Sequence, residues 1–174
     1  SIAWFKLADL VIRREREKAL NVYRLLFHSL DNKAYALQLE GDLLWFFDDT
    51  LCLKKYEEAA QQYELVQRWI AAFALHEQMY YYDRSGELLP ALLRTALFAH
   101  HEKKCREIFA KIKELFDDGI ITDYQFKEII NQIFQLVQDH AERRELVCWL
   151  VSCIAELHHH LPELVQAELR QLSE

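Results

Sequence analysis

"ALQLEGDLLWFFDD" (Ala36 to Asp49), followed at Lys54 to Val66 by "KKYEEAAQQYELV", decides how the chain is read. One glycine interrupts a run of apolar residues, in a protein with 3 glycines and 2 prolines. Glycine inside a helix costs roughly 1 kcal/mol against alanine. Gly41 therefore needs a reason, and close approach of a second helix supplies one. The stretch carries two apolar stripes, Leu37, Gly41, Leu44 and Phe47, and Leu39, Leu43 and Phe46. A helix apolar on two faces is sandwiched between neighbours.

The same punctuation argument extends over all 174 residues. So few glycines and prolines cannot end many strands and hairpins, and 52% hydrophobic content supplies a sizeable core. The expectation is an all-α chain of about eight or nine helices. The first spans about 2–13, with Trp4, Leu7, Ala8 and Val11 on one face, and the second about 15–29, with Ala19, Val22, Tyr23 and Leu26. The third spans about 33–47, "DDTLCLKK" connects onward, and a long stretch covers 54–82 with a break near Arg68. Helices over about 87–99 and 102–116 come next, with Pro90 in a first turn and Gly119 as a C-terminal cap. Thr122 and Gln125 form a capping box for a helix to about His140. "AERRELVCWLVSCIAELHHH" then presents Leu146, Trp149, Leu150, Cys153, Ile154 and Leu157 on one face, and Pro162 opens a short final helix.

Charge and cysteine usage narrow the function. The balance is 21 − 28 = −7, with Lys and Arg interleaved with Glu, as in "RREREK" at Arg13 to Lys18. That reads as a solvated helix face rather than the basic stripe of a nucleic-acid binder. Cys52, Cys105, Cys148 and Cys153 lack the paired short spacings of a zinc site. They read as buried free thiols in a reducing compartment, hence the cytoplasm. The longest apolar run, Leu146 to Ala155, is shorter than the roughly 20 residues of a membrane span. No signal peptide is visible, and the start at Ser1 rather than Met fits a piece of a longer or processed protein.

A repeated motif emerges on alignment. Ala19/Tyr23, Ala59/Tyr63 and Cys105/Phe109 are small-x3-aromatic pairs, each followed three residues later by Leu26, Val66 or Ile112. Preceding each is an apolar helix: Trp4, Leu7, Ala8 and Val11; Leu37, Glu40, Gly41 and Leu44; Leu89, Leu92, Leu93 and Ala96. This pattern resembles the tetratricopeptide repeat. The resemblance covers about two-thirds of the chain and has departures: Val11, Leu44 and Ala96 replace the expected Tyr, the terminal proline is missing, and the spacings exceed the family period. A generic antiparallel helical bundle is the alternative. The expected organisation is repeats over 1–118 and a helical extension over 119–174 packed on the same domain. Within it, "LFDDGIITDYQFKEI" also resembles a short helical hairpin found at the ends of bacterial oligomerising proteins, and reads first as turn and cap chemistry.

Reactive constellations are thin. His101 and Cys105 stand at i, i+4, and Glu156 and His159 at i, i+3, but a di-iron bundle needs two Glu-x-x-His pairs and two further Glu. "HEQMY" at His76 lacks the second histidine of a zinc protease. The three glycines are too dispersed for a phosphate loop or a nucleophile elbow. The expectation is no enzyme, no metal and no cofactor. Aromatic runs are more telling: Trp45 to Phe47 and Tyr80 to Tyr82 cannot all be buried unless their helices are nearly surrounded, since adjacent residues diverge by about 100°.

The repeat resemblance implies a groove lined by the first helix of each hairpin. Its residues here would be Phe5, Asp9 and Ile12, then Gln38, Asp42 and Trp45, then Arg94 and Leu97. The Lys and Asn clamp of some family members is absent. Such an acidic, aromatic groove implies a protein-protein interaction module, a scaffold, adaptor or dedicated chaperone, holding a basic and apolar peptide or helix of another protein. A second copy of the chain is the alternative partner. Asp9 and Asp42 read otherwise as solvated surface charges. The competing functions are a sensor domain with a small ligand in its core and a metal-dependent helical-bundle enzyme.

Overall fold

The computed structural model describes residues 2–84, 86–139 and 144–156. Among them are nine α-helices and no strand: α1 (Ile2–Ile12), α2 (Arg16–Phe27), α3 (Lys33–Phe46), α4 (Leu51–Leu65), α5 (Trp69–Tyr82), α6 (Leu89–Phe98), α7 (Glu102–Asp117), α8 (Asp123–Asp139) and α9 (Arg144–Glu156). A 3-10 turn, Gly86–Leu88, leads into α6, with Pro90 in its first turn. The all-α expectation is met. The final helix expected from Pro162, together with Leu157 and His159, lies outside the described residues.

Short connections make the hairpins. Arg14, Asp48, Gln67, His100 and Gly119 adopt left-handed backbone, with φ of 58°, 55°, 57°, 57° and 70°. Each ends a helix in the same way. At Gln67, its own N–H donates to the Glu64 carbonyl and that of Arg68 to the Tyr63 carbonyl, both at 2.9 Å. This paired bond pattern satisfies carbonyls that a helix end leaves orphaned. Glu15, Arg68 and His101, which follow three of these residues, share φ near −86° to −88° and ψ of 66° to 71°. The α1–α2, α4–α5 and α6–α7 turns are thus one local structure built three times.

Helix starts follow side-chain chemistry. Asn32 caps α3 by accepting the Tyr35 N–H at 3.1 Å. The Thr122 hydroxyl accepts the Gln125 N–H at 3.2 Å, and the Gln125 side-chain Oε1 accepts the Thr122 N–H at 3.0 Å, completing the expected capping box. The α4 start differs from expectation: the helix begins at Leu51, because the Asp49 carboxylate accepts the Leu51 N–H at 3.0 Å and draws "LCL" into the first turn.

The chain divides into two compact units, one ending at Asp83 and one beginning at Arg84. In the first unit α1 packs on α2, α3 on α4 and α4 on α5, with a lesser contact of α2 on α3. In the second, α6 packs on α7 and α8, and α8 on α9.

Gly41 lies where α3 meets α4. A Cβ built there would stand 2.6 Å and 2.7 Å from Cε1 and Cδ1 of the fully buried Tyr56 ring. The α1 stripe departs from the expected one: Leu7 and Leu10 are buried, while Ala8 is exposed. Cys52, Cys105 and Cys153 are buried free thiols as expected, and Cys148 is exposed. Burial pushes the Cys105 thiol up to about 12.

Two stability outcomes follow. Gly41→Ala lowers stability by about 1–3 kcal/mol from overpacking, despite roughly 1 kcal/mol of gained helix propensity. Thermal unfolding checks this, and Gly41→Ala combined with Tyr56→Leu costs less than the sum of the single changes. Gln67→Gly raises stability by about 1 kcal/mol, since glycine adopts left-handed backbone without the Cβ penalty. A lowered melting temperature would contradict it.

Candidate functional site

Gln38, Asp42 and Trp45 recur at one face of α3, and the structure brings these three together. Gln38 and Asp42 each accept a hydrogen bond within the first unit. The Tyr63 hydroxyl donates to Gln38 Oε1 at 3.0 Å, and the Tyr56 hydroxyl to Asp42 Oδ1 at 2.8 Å. Gln78 Nε2 of α5 donates to the Tyr56 oxygen at 2.9 Å. Trp45 is half-buried, its ring 6.1 Å from Tyr56 and 4.9 Å from Tyr82 by centroids. Lys55 pairs with Glu40 at 3.3 Å along the same seam. Gln38 and Asp42 therefore fix α4 and α5 in register against α3.

The electrostatics agree. Burial raises the Asp42 carboxyl above the ordinary carboxylate range, and the Tyr56 hydrogen bond partly opposes that. The Tyr56 phenol is raised too, by burial first and then by its bond to Asp42. Asp49, at the α3–α4 turn, is shifted the other way. The Leu51 N–H and then the Arg16 guanidinium hold its carboxyl below the usual range.

Phe5 and Asp9 occupy the outer face of α1. Phe5 is 78% exposed, and Asp9 pairs with Arg13 at 3.0 Å. Ile2 and Ile12, 88% and 79% exposed, complete the stripe. Of the aromatic runs, Phe46 is partly exposed beneath the Arg14 guanidinium, 5.2 Å from the ring centroid, and Tyr81 is exposed.

Arg94 and Leu97 belong to the second unit. Leu97, expected to line a groove, is instead buried in the α6 core face. Arg94 sits at a cleft between α6 and α8, about 250 Å³, that also includes Pro90, Gln132 and Leu136. Pro90 and Gln132 are shared with a neighbouring cleft of about 320 Å³, floored by Ile121 and Ile129 and rimmed by Glu87, Tyr124 and Glu128. Sequence reading missed this trough. Its signal was Ile120 and Tyr124, large apolar residues out of phase with the buried stripe Phe126, Ile129, Ile130 and Ile133.

Among the described residues no group of three or more His, Cys, Asp and Glu could hold a metal ion, and no helix is long and apolar enough to cross a membrane. Comparison of the chain with protein-family models, curated proteins and solved structures finds no match.

The two aspartates predict pH effects of opposite sign. A folded-state pKa above the unfolded value means that Asp42 costs stability once pH rises through the folded pKa. Asp42→Asn keeps an acceptor for Tyr56, so it unfolds at equal or higher denaturant than wild type at pH 7. The difference closes as the medium is acidified. Asp49 has the lower folded pKa, so its contribution is full above the unfolded value of about 3.9 and is lost as pH falls through the folded pKa. Asp49→Asn is therefore less stable than wild type at pH 7 and loses less on going to pH 3. Denaturant midpoints measured across pH check both signs.

Proposed function

We propose that this chain is a protein-protein interaction module, an adaptor or scaffold, that holds an apolar segment of another protein. The observation that carries the reading is α1. A surface helix of a globular protein has one apolar stripe and a polar outer face. Here α1 buries Leu7 and Leu10 on one side and leaves Ile2, Phe5 and Ile12 on the other, around Asp9. Helix α7 provides the contrast: Lys103, Arg106, Glu107 and Lys113 cover its outer face.

Magnitudes set the character of the interface. Burying three such side chains yields about 5–8 kcal/mol, against about 4–15 kcal/mol for lost freedom on association. The α1 stripe is thus an anchor that needs further contacts, with Asp9 setting charge preference rather than affinity. A degenerate array of tetratricopeptide-like hairpins suits this role. The close α3–α4 approach at Gly41, inside the second of these hairpins, supports it. Free thiols at Cys52, Cys105 and Cys153 suit a reducing compartment such as the cytoplasm.

A photo-crosslinking amino acid at position 5, compared with one at the exposed Lys54 of α4, tests the reading in source cells. The expected result is a partner adduct at 5 and none at 54. Phe5→Asp with Ile12→Asp removes the adduct, with thermal stability changed by no more than about 0.5 kcal/mol, as for surface substitutions. Identical adducts at both positions, or none at 5, would overturn the reading, and an adduct to the chain itself would assign the stripe to self-association.

A further inference from the structure

We infer that the trough between α6 and α8 is a second docking site, whose occupant is an amphipathic helix with an apolar stripe flanked by Lys or Arg. It stands on observations within the second unit alone.

The trough is continuous in sequence register. On α8 its lining recurs at Gln125, Glu128, Ile129, Gln132, Leu136 and Asp139, one stripe at helical spacing over the length of the helix. On α6 and the preceding turn it recurs at Gly86, Pro90 and Arg94. From Tyr124 to Asp139 this is about 22 Å at 1.5 Å per residue. A seam of that length between two helices has the shape that accepts a third, whose apolar residues at i, i+3, i+4 and i+7 enter the groove.

The floor is apolar and tightly set. Ile121 and Ile129 are buried. A Cβ at Gly86 would stand 3.2 Å from Cδ1 and from Cγ1 of Ile121, so the turn backbone packs closely on the floor at this end. At the mouth, Ile120 and Tyr124 remain 62% and 72% exposed. Two large apolar side chains over an apolar floor lose water contact only when something lies between them.

Charge selects the occupant. The lining carries Glu87, Glu128 and Asp139 against Arg94, a net of −2. Asp139 accepts from Gln135 at 2.8 Å, while Glu87 and Glu128 are exposed with no ion pair among the described residues. A helix with basic flanks places its cations over these carboxylates, whereas an acidic one meets repulsion. The chain's own residues 157–174 fit poorly on this ground, with Glu163, Glu168 and Glu174 against Arg170.

The test uses the full chain and two fluorescent peptides of about 18 residues, long enough as helices to span the trough. Both carry Leu at i, i+3, i+4 and i+7; one has Lys on its flanks and the other Glu. Anisotropy should show binding of the Lys peptide only. In Glu87→Lys with Glu128→Lys the affinity should fall at least about tenfold, from two pairs replaced by repulsion. Glu57→Lys with Asp31→Lys, which changes net charge equally in the first unit, should leave affinity within about twofold, since separated exposed charges are largely screened. Equal loss in this control, binding of the Glu peptide, or binding of neither peptide would overturn the proposal. So would sedimentation showing a dimer that Tyr124→Arg dissolves, because the trough would then hold a second copy. Circular dichroism confirms that each variant folds.

Discussion

The contact between Gly41 and the Tyr56 ring is the constraint on which the first unit depends. It brings α3 and α4 close enough for the Tyr56 hydroxyl to reach Asp42, and from there Gln78 of α5 joins the chain of hydrogen bonds. Any side chain at position 41 would push the ring outward and break this geometry. A buried Tyr ring contributes a large apolar area, and its hydroxyl needs a partner once water is excluded. Both needs are met at once: the missing Cβ admits the ring, and the half-buried carboxylate accepts the hydroxyl.

That arrangement also explains why the unit's open apolar surface lies elsewhere. A carboxylate whose pKa is raised by burial and held by a tyrosine is part of the packing. Its neighbours Gln38 and Trp45 are similarly engaged. Apolar surface is left over on α1, among other places, and its main helix contact is with α2. In the second unit α6 contributes only ten residues beside the longer α8, and the seam between them remains open. Each surface follows from a helix whose apolar residues outnumber the faces that its neighbours can cover.

The turns show how glycine-poor hairpins are built. Four left-handed positions are held by Arg14, Asp48, Gln67 and His100 rather than glycine. Each carries a modest backbone penalty, offset by the two capping hydrogen bonds that end the preceding helix. Reading turns from glycine therefore located Gly119 correctly and passed over the rest. The capping box at Thr122 was legible because its chemistry resides in two side chains three residues apart.

Composition, helical periodicity and the solitary Gly41 were sufficient to establish an all-α chain and the close α3–α4 approach, since both depend on local propensity and on a glycine that a helix would otherwise exclude. Most helix bounds were legible for the same reason. Which helix faces stay open was decided by tertiary structure. Asp9 and Asp42 follow alike small residues in sequence, yet one is exposed and the other half-buried beneath Tyr56. Leu97 follows the same pattern as a groove residue and is buried. Periodicity assigns residues to a face of their own helix, but the partner of that face is set by contacts between residues distant in sequence.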